Sequence, residues 1–238
     1  MSLFPVPARA RGREILDDPA TPDDVRQRAM RDVARSNTLF GGTRAVLREL
    51  LAIGNELPRN AVLLDVGTGT ADIPAAARAT LASYGYDAQA IGIDASESLL
   101  KTAGARLQGA VVGDALRLPL ADASADVVTC SQVLHHFFDD DLTTLIAELH
   151  RVSRGWVIIS DLRRSWLAAG GFWLASSALR FHEITRVDGM TSVLRGFEPT
   201  ELERLVRTAT GMTPIVRAGM FWRVTARWRA RTSMRAPE

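Results

Sequence analysis

The 238-residue chain has a single cysteine, Cys130, so no intramolecular disulfide can form, which agrees with a reducing, cytoplasmic setting. Lysine is almost absent. Lys101 stands alone, and nearly all positive charge is carried by arginine. No long basic run accompanies the formal net charge of +2, so charge gives no sign of nucleic-acid binding. The stretch MSLFPVPARARGRE lacks the apolar core of a signal peptide. The longest uncharged segment, Ser165–Leu179, is shorter than the roughly 20 residues that span a bilayer. It is expected to be buried or to face a substrate. A lipid-surface role ranks lower, because the segment lacks a basic polar face.

About half the residues are apolar, enough for a sizeable core. Residues 1–20 show little periodicity. From Asp23 to Ile53 the pattern is helical, with Pro22 where a first turn tolerates proline and NTLFGG (37–42) dividing two helices. From Ala61 onward short apolar runs alternate with helical segments. The runs are AVLLDV, AQAIGIDAS, GAVVGDA, ADVVTCSQV and GWVIISDL, which predicts a parallel sheet of βαβ units. Residues 163–197 interrupt this alternation. A helix over Glu198–Thr210 follows, and then two strands, Thr213–Val216 and Phe221–Trp228, joined at Gly219. The expected division is an N-terminal helical cap over 1–57 and a main domain over 58–238, with a lid near 163–197.

Ligands of an open parallel sheet bind beyond the carboxyl ends of its strands. Here the strands end in Asp65, Asp94, Asp114, Ser131 and Asp161. After Asp65 comes Gly67-Thr68-Gly69-Thr70-Ala71, a loop in which glycine lets backbone approach a ligand. A dinucleotide fingerprint would need glycine where Asp72 stands, and a carboxylate there would repel a pyrophosphate. The Gly-Lys-Ser/Thr of a phosphate-binding loop is also missing. The loop suits a nucleoside ligand that carries no phosphates.

LLDVGTGTA, with Asp94 and the GDA at 113–115, resembles the motif series of the class I S-adenosylmethionine-dependent methyltransferases (EC 2.1.1). DASADVVTCSQVLHHF and ELHRVSRGWVIISD resemble that family's fourth strand, following helix and fifth strand. Residues 60–162 carry the likeness closely. One departure is Ala71, which replaces a third glycine and is expected to lie already within the helix.

The resemblance implies an α/β, Rossmann-like fold: a seven-stranded, mostly parallel sheet with helices on both faces and a helical lid. It implies S-adenosyl-L-methionine as cofactor and S-adenosyl-L-homocysteine as product, with no metal. Gly67, Thr68 and Gly69 would meet the methionyl part and Asp65 its ammonium group. Asp94 and Ala95 would bind the ribose, Asp114 and Ala115 the adenine. Ser131 and Gln132 would line the reactive end.

The sulfonium is already activated, so such an enzyme mainly aligns an acceptor and excludes water. A hydroxyl acceptor benefits from a base near neutral pKa. His135 and His136, directly after the fourth strand, are candidates, and His182 in the lid segment is another. His150 reads as structural.

The lid segment sets Trp166, Phe172, Trp173 and Phe181 beside Arg186, Asp188 and Arg195. Apolar walls with a few placed polar groups suit a hydrophobic small-molecule acceptor. NxxFGG, LHHF and TRVDGMTSVLRGF are similar to quinone-biosynthesis methyltransferases and bacterial enzymes acting on phenolic polyketides. The expected function is O-methylation of a phenolic or polyketide-like molecule. The alternatives are C-methylation of a prenylated quinol ring, a nicotinamide-dependent oxidoreductase, a nucleic-acid methyltransferase and a cofactor-binding scaffold. Nucleobase amino-methylating enzymes carry an Asn/Asp-Pro-Pro-aromatic run where this chain has SQVLHHF. No nucleic-acid partner, no stable membrane insertion, and a monomer or homodimer are expected.

Overall fold

A left-handed glycine separates the first two helices. Gly41 (φ 74°) ends α1 (Asp23–Leu39) and starts α2 (Gly42–Leu51), a conformation that costs glycine little. The structure, a computed structural model, describes residues 5–18 and 20–230. The first four residues of the stretch read as irregular therefore lie outside the described residues.

The βαβ alternation follows in the order expected. It runs β1 (Val62–Val66), α3 (Asp72–Ser83), β2 (Gln89–Asp94), α4 (Glu97–Ala103), β3 (Gly109–Val112), β4 (Ala125–Ser131), α5 (Asp139–Val152) and β5 (Ser153–Leu162). The interrupting segment is a helical hairpin, α6 (Trp166–Ala178) and α7 (Glu183–Arg195). After it come α8 (Pro199–Thr210), β6 (Ile215–Ala218) and β7 (Arg223–Arg229). Local chemistry sets the ends of α8. Glu198 and Glu201 form a capping box, Pro199 occupies the first turn, and Gly211 (φ 69°) closes the helix.

Seven strands form one sheet in the order β3-β2-β1-β4-β5-β7-β6, with β7 antiparallel to both its neighbours and the rest parallel. The central strands are buried along almost their whole length, as helices on both faces require. Leu64, Val128, Val157 and Ile159 face α5 and α8, whereas Leu63, Val127 and Ile158 face α2 and α3. The chain moves outward from β1 to β3 and returns to pair β4 with β1. That reversal opens a crevice beyond the carboxyl ends of β1 and β4.

The boundary expected at 57 does not follow the packing. α2 belongs to the sheet's own helical layer, with Leu50 against Leu63 and Val127, and its buried Glu49 is bound by Arg48, Arg227 and Thr225. α1 leaves that layer and crosses the end of the sheet. The expectation for Ser165–Leu179 is met on one side only. Ala168, Ala169 and Ser176 are buried, while Trp166, Leu167 and Leu174 of α6 are exposed.

Candidate active site

Each part of the loop after β1 is held by backbone chemistry. Gly67 and Thr68 donate their N–H groups to Ile93 O at the end of β2. Gly67 has φ 72°, and a Cβ there would come within 2.3 Å of Val133 Cγ2, so glycine is required on two counts. Asp94 ties the crevice together. Its Oδ2 accepts from Gly69 N at 2.8 Å and its Oδ1 from Ser96 N at 2.9 Å. Each carboxylate oxygen keeps a further lone pair for a ligand. Ala71 is not in the helix as expected. It caps α3 with φ 59° and is fully buried beside Ala90, Ala103 and Leu107. Its left-handed backbone costs about 1 kcal/mol, and its buried methyl offsets that cost. Asp72 opens α3 and is held by Asn37 Nδ2 at 3.1 Å, which leaves a carboxylate where a pyrophosphate would need a free helix end.

One cavity of about 810 Å³ runs along this crevice. Of the residues singled out from sequence, Gly67, Gly69, Asp94, Ala95, Asp114 and Ala115 line it at one end. Gln132, His135 and His136 line it farther along. Asp65, Thr68 and Ser131 are not among its lining residues. Strand alternation turns Asp65 to the side opposite Leu64 and Val66, where its carboxylate accepts from Thr129 Oγ1 at 2.6 Å. Thr68 sits over Gly92. Gln132, with φ 58°, turns the chain so that it, rather than Ser131, reaches the cavity. Burial pushes the Asp65 carboxyl up to about 7, an effect only partly offset by the hydrogen bond from Thr129.

His182 stands apart. It caps α7, with Nδ1 accepting from Ile184 N, and lies in an outer groove with Arg28, Arg31 and Arg35. It has no place at the cavity and is not a base there.

The apolar walls come from Met30 and Val33 of α1, Phe40, Phe172 of α6, and Phe221 and Trp222. Phe40 and Phe172 meet edge to face at 5.9 Å. Trp166 and Trp173 face outward, so of the lid aromatics named from sequence only Phe172 lines the cavity. Between the two ends Arg223 is buried, donating to Gln132 Oε1 at 2.8 Å and to Phe40 O at 3.0 Å.

The polar end is built largely from residues to which sequence assigned no role. His135 is buried, and its Nδ1 lies 2.7 Å from Oδ1 of the fully buried Asp161. Burial alone would raise the Asp161 carboxyl. The charge and hydrogen bond of His135 outweigh this and hold it below the usual range. The segment before α1 crosses the cavity and inserts Glu14 and Asp17. Glu14 Oε1 is 3.6 Å from His135 Nε2, and Asp17 Oδ1 is 2.8 Å from His136 Nδ1. Burial would lower the His136 pKa, but contact with Asp17 and the charge of Glu14 raise it.

Asp188 and Arg195 of α7, expected to face the acceptor, chiefly hold this segment. Asp188 accepts from Ile15 N and Leu16 N, and Arg195 pairs with Glu14 and Asp17. Neither Glu14 nor Asp17 carries a sequence signal, because the segment holds only one 3₁₀ turn, Ile15–Asp17, too short to give a period.

Comparison with known proteins agrees with this geometry. Residues 64–159 match a family model described as a methyltransferase domain. Over 118 residues the chain is 30% identical to a demethylmenaquinone methyltransferase of Roseiflexus, covering 46% of this chain and 47% of that protein. Over 153 residues it is 29% identical to a malonyl-[acyl-carrier protein] O-methyltransferase of Methylococcus capsulatus, covering 56% and 54%. The chain thus spans about half the length of these relatives. The solved structure of a magnesium protoporphyrin IX methyltransferase from Synechocystis, with bound S-adenosylmethionine, superposes with a TM-score of 0.53 at 15% identity. That match covers 91% of this chain and 88% of the other and is a likeness of fold. Among the described residues, no helix is long and apolar enough to cross a membrane.

Proposed function

From a chain that carries a methyltransferase domain in the class I fold, we propose an S-adenosylmethionine-dependent methyltransferase acting on a hydrophobic, phenol-like small molecule. One observation carries this reading. A single cavity joins the Asp94 end, shaped for a nucleoside, to the apolar walls and the His135–Asp161 pair.

The cofactor end fits its group. Gly67 and Gly69 line the cavity with bare backbone, and a Cβ at either would press on Val133 or Met30. Asp94 can accept two hydrogen bonds from a vicinal diol, and Asp114 and Ala115 lie where an adenine edge would meet them. S-adenosylmethionine supplies an activated methyl group on a sulfonium. This chain's residues bind, align and dry the acceptor. Phe40, Phe172 and Trp222 provide flat apolar contact, and the α6–α7 hairpin with the segment before α1 forms the lid that excludes water. The acceptor's proton leaves at the Glu14–His135–His136 cluster. Asp161 fixes the His135 tautomer, so that the Nε2 lone pair is turned toward that cluster.

C-methylation of a quinol ring is the second reading, favoured by the name of the Roseiflexus relative. Mass spectrometry of extracts incubated with methyl-labelled cofactor identifies the acceptor and the methylated atom. Calorimetry with S-adenosylmethionine, S-adenosylhomocysteine and NADH tests the class. The first two should bind and NADH should not. Failure of the first two to bind overturns the reading, and NADH binding alone restores a nicotinamide enzyme.

A pH prediction follows from Asp65. Its folded pKa of about 7 means that it holds a proton in mildly acidic solution. A cationic ligand over the Gly67 loop, out of contact with the buried Asp65 but close enough to act through charge, favours the carboxylate, so binding should release a proton at pH 6. Affinity should rise with pH, by up to about tenfold per unit, and level off above about pH 7. Calorimetry in buffers of different ionisation enthalpy measures the released proton. A binding enthalpy independent of buffer contradicts the assignment.

A further inference from the structure

The two histidines bring their Nε2 atoms to one carboxylate, Glu14, without hydrogen-bonding it. His135 Nδ1 lies against Asp161 and His136 Nδ1 against Asp17, at 2.7 and 2.8 Å. Carboxylates only accept, so in a neutral His135 ring Nδ1 carries the hydrogen and Nε2 presents a lone pair. His136 Nδ1 is close to Asp17 but, among the described residues, has no hydrogen-bond partner of good geometry. Both Nε2 atoms face the same carboxylate. His135 Nε2 is 3.6 Å from Glu14 Oε1, and His136 Nε2 is 3.9 Å from Glu14 Oε2. These separations are too long for hydrogen bonds.

We propose that Glu14, His135 and His136 form a binding site for one divalent transition-metal ion at the acceptor end of the cavity. Ligands about 2.0–2.2 Å from a shared tetrahedral ion stand about 3.4 Å apart, and the two histidine–carboxylate separations, 3.6 and 3.9 Å, lie a little above that. Among the described residues, these three bring their ligand atoms within 4.8 Å of one another. Two imidazoles and one carboxylate suit zinc, iron(II) and their neighbours, whereas magnesium and calcium take oxygen ligands. Asp161 supplies the carboxylate–histidine hydrogen bond that orients a metal-ligating imidazole, and Asp17 lies against the second ring.

Glu14 Oε1 accepts from Ser192 Oγ at 2.9 Å, but the nearest organic cation holds the cluster only at longer range. Arg195 Nη1 lies 3.2 Å from Glu14 and 3.4 Å from Asp17, longer than ordinary charge-assisted bonds, and the two carboxylates share that one nitrogen. Arg195 Nε is buried with no hydrogen-bond partner among the described residues.

All three ligands line the cavity, so the remaining coordination positions open toward the acceptor. In the methyl-transfer reading, on which this role rests, the acceptor's hydroxyl oxygen binds the ion and gives its proton to water. The phenolate then attacks the methyl carbon. The new O–C bond forms as the S–C bond breaks, and that electron pair stays on sulfur. The site revises the expectation that no metal is involved.

The test is direct metal binding by untagged full-length protein stripped with a chelator. Calorimetry with Zn²⁺ should show one equivalent bound, and Co²⁺ should give a visible d–d spectrum. Glu14→Gln and His136→Gln should each weaken binding by at least about tenfold, and His182→Ala should not. Thermal unfolding of each variant shows that it is folded, and two independent ligand variants guard against one that is not. Absence of a stoichiometric site, or wild-type affinity in both variants, overturns the inference. Calorimetry of the same stripped protein with S-adenosylmethionine separates the outcomes. Cofactor binding without zinc binding sinks the metal site alone, while loss of cofactor binding sinks the reading above it.

Discussion

Replacement of Asp94 by alanine is expected to weaken S-adenosylmethionine binding by about 100-fold or more. Two hydrogen bonds from a ribose diol to a carboxylate are worth about 1.5–3 kcal/mol each, and each 1.4 kcal/mol is tenfold in affinity. A second loss adds to the first. Asp94 also accepts from Gly69 N and Ser96 N, so the loop after β1 and the turn into α4 lose their shared anchor. Calorimetry measures the affinity, and thermal unfolding shows whether the domain is intact. A folded variant within threefold of wild-type affinity would mean that the ribose lies elsewhere. Asp94→Asn should fall between the two. The asparagine oxygen can still accept, while its NH2 faces the two backbone donors or the diol as a donor.

Asp161→Asn is expected to lower the rate of methyl transfer by about 10²–10⁴-fold, the range of a positioned proton-transfer group, and to leave cofactor affinity almost unchanged. The carboxylate is fully buried, 2.7 Å from His135 Nδ1. An asparagine in its place can turn an NH2 toward Nδ1, which moves the ring hydrogen to Nε2. The lone pair directed at Glu14 is then lost, whether it would receive a proton or hold an ion. Asp161 also accepts from the backbone N–H groups of Leu162 and His135, so some loss of stability accompanies the change. The informative readout is the split. kcat should fall while the dissociation constant for S-adenosylmethionine holds. A variant that retains full activity would remove Asp161 and His135 from the mechanism.

Much of the sheet was legible because its signals are local. A parallel strand buried on both faces must be an apolar run, so β1, β4 and β5 stand out in the chain. The loop after β1 needs glycine at Gly67 for steric reasons that any such loop shares. Asp94 ends a strand within one βαβ unit of that loop. Strand ends and tight turns are short-range features, and a linear reading reaches them.

Side-chain direction was less legible. Asp65, Thr68 and Ser131 were placed by motif, but alternation along β1 and the left-handed turn at Gln132 decide which side chains reach the cavity. Helix α6 is apolar all round, so its sequence does not distinguish the face against Val193 and Trp222 from the face left exposed. His182 was a candidate because of its residue type, and only the course of α7 shows it capping a helix outside the cavity.

By itself the sequence determined the doubly wound sheet, its glycine loop and the acidic residue facing that loop, because period, turn and strand-end chemistry act over a few residues. Only the tertiary structure decided the polar end. Glu14 and Asp17 come from a segment with a single 3₁₀ turn and no period of its own, held by Asp188 and Arg195 of a helix near the other end of the chain. Such long-range ion pairs and backbone contacts form only once the sheet has brought His135 and Asp161 to its carboxyl edge.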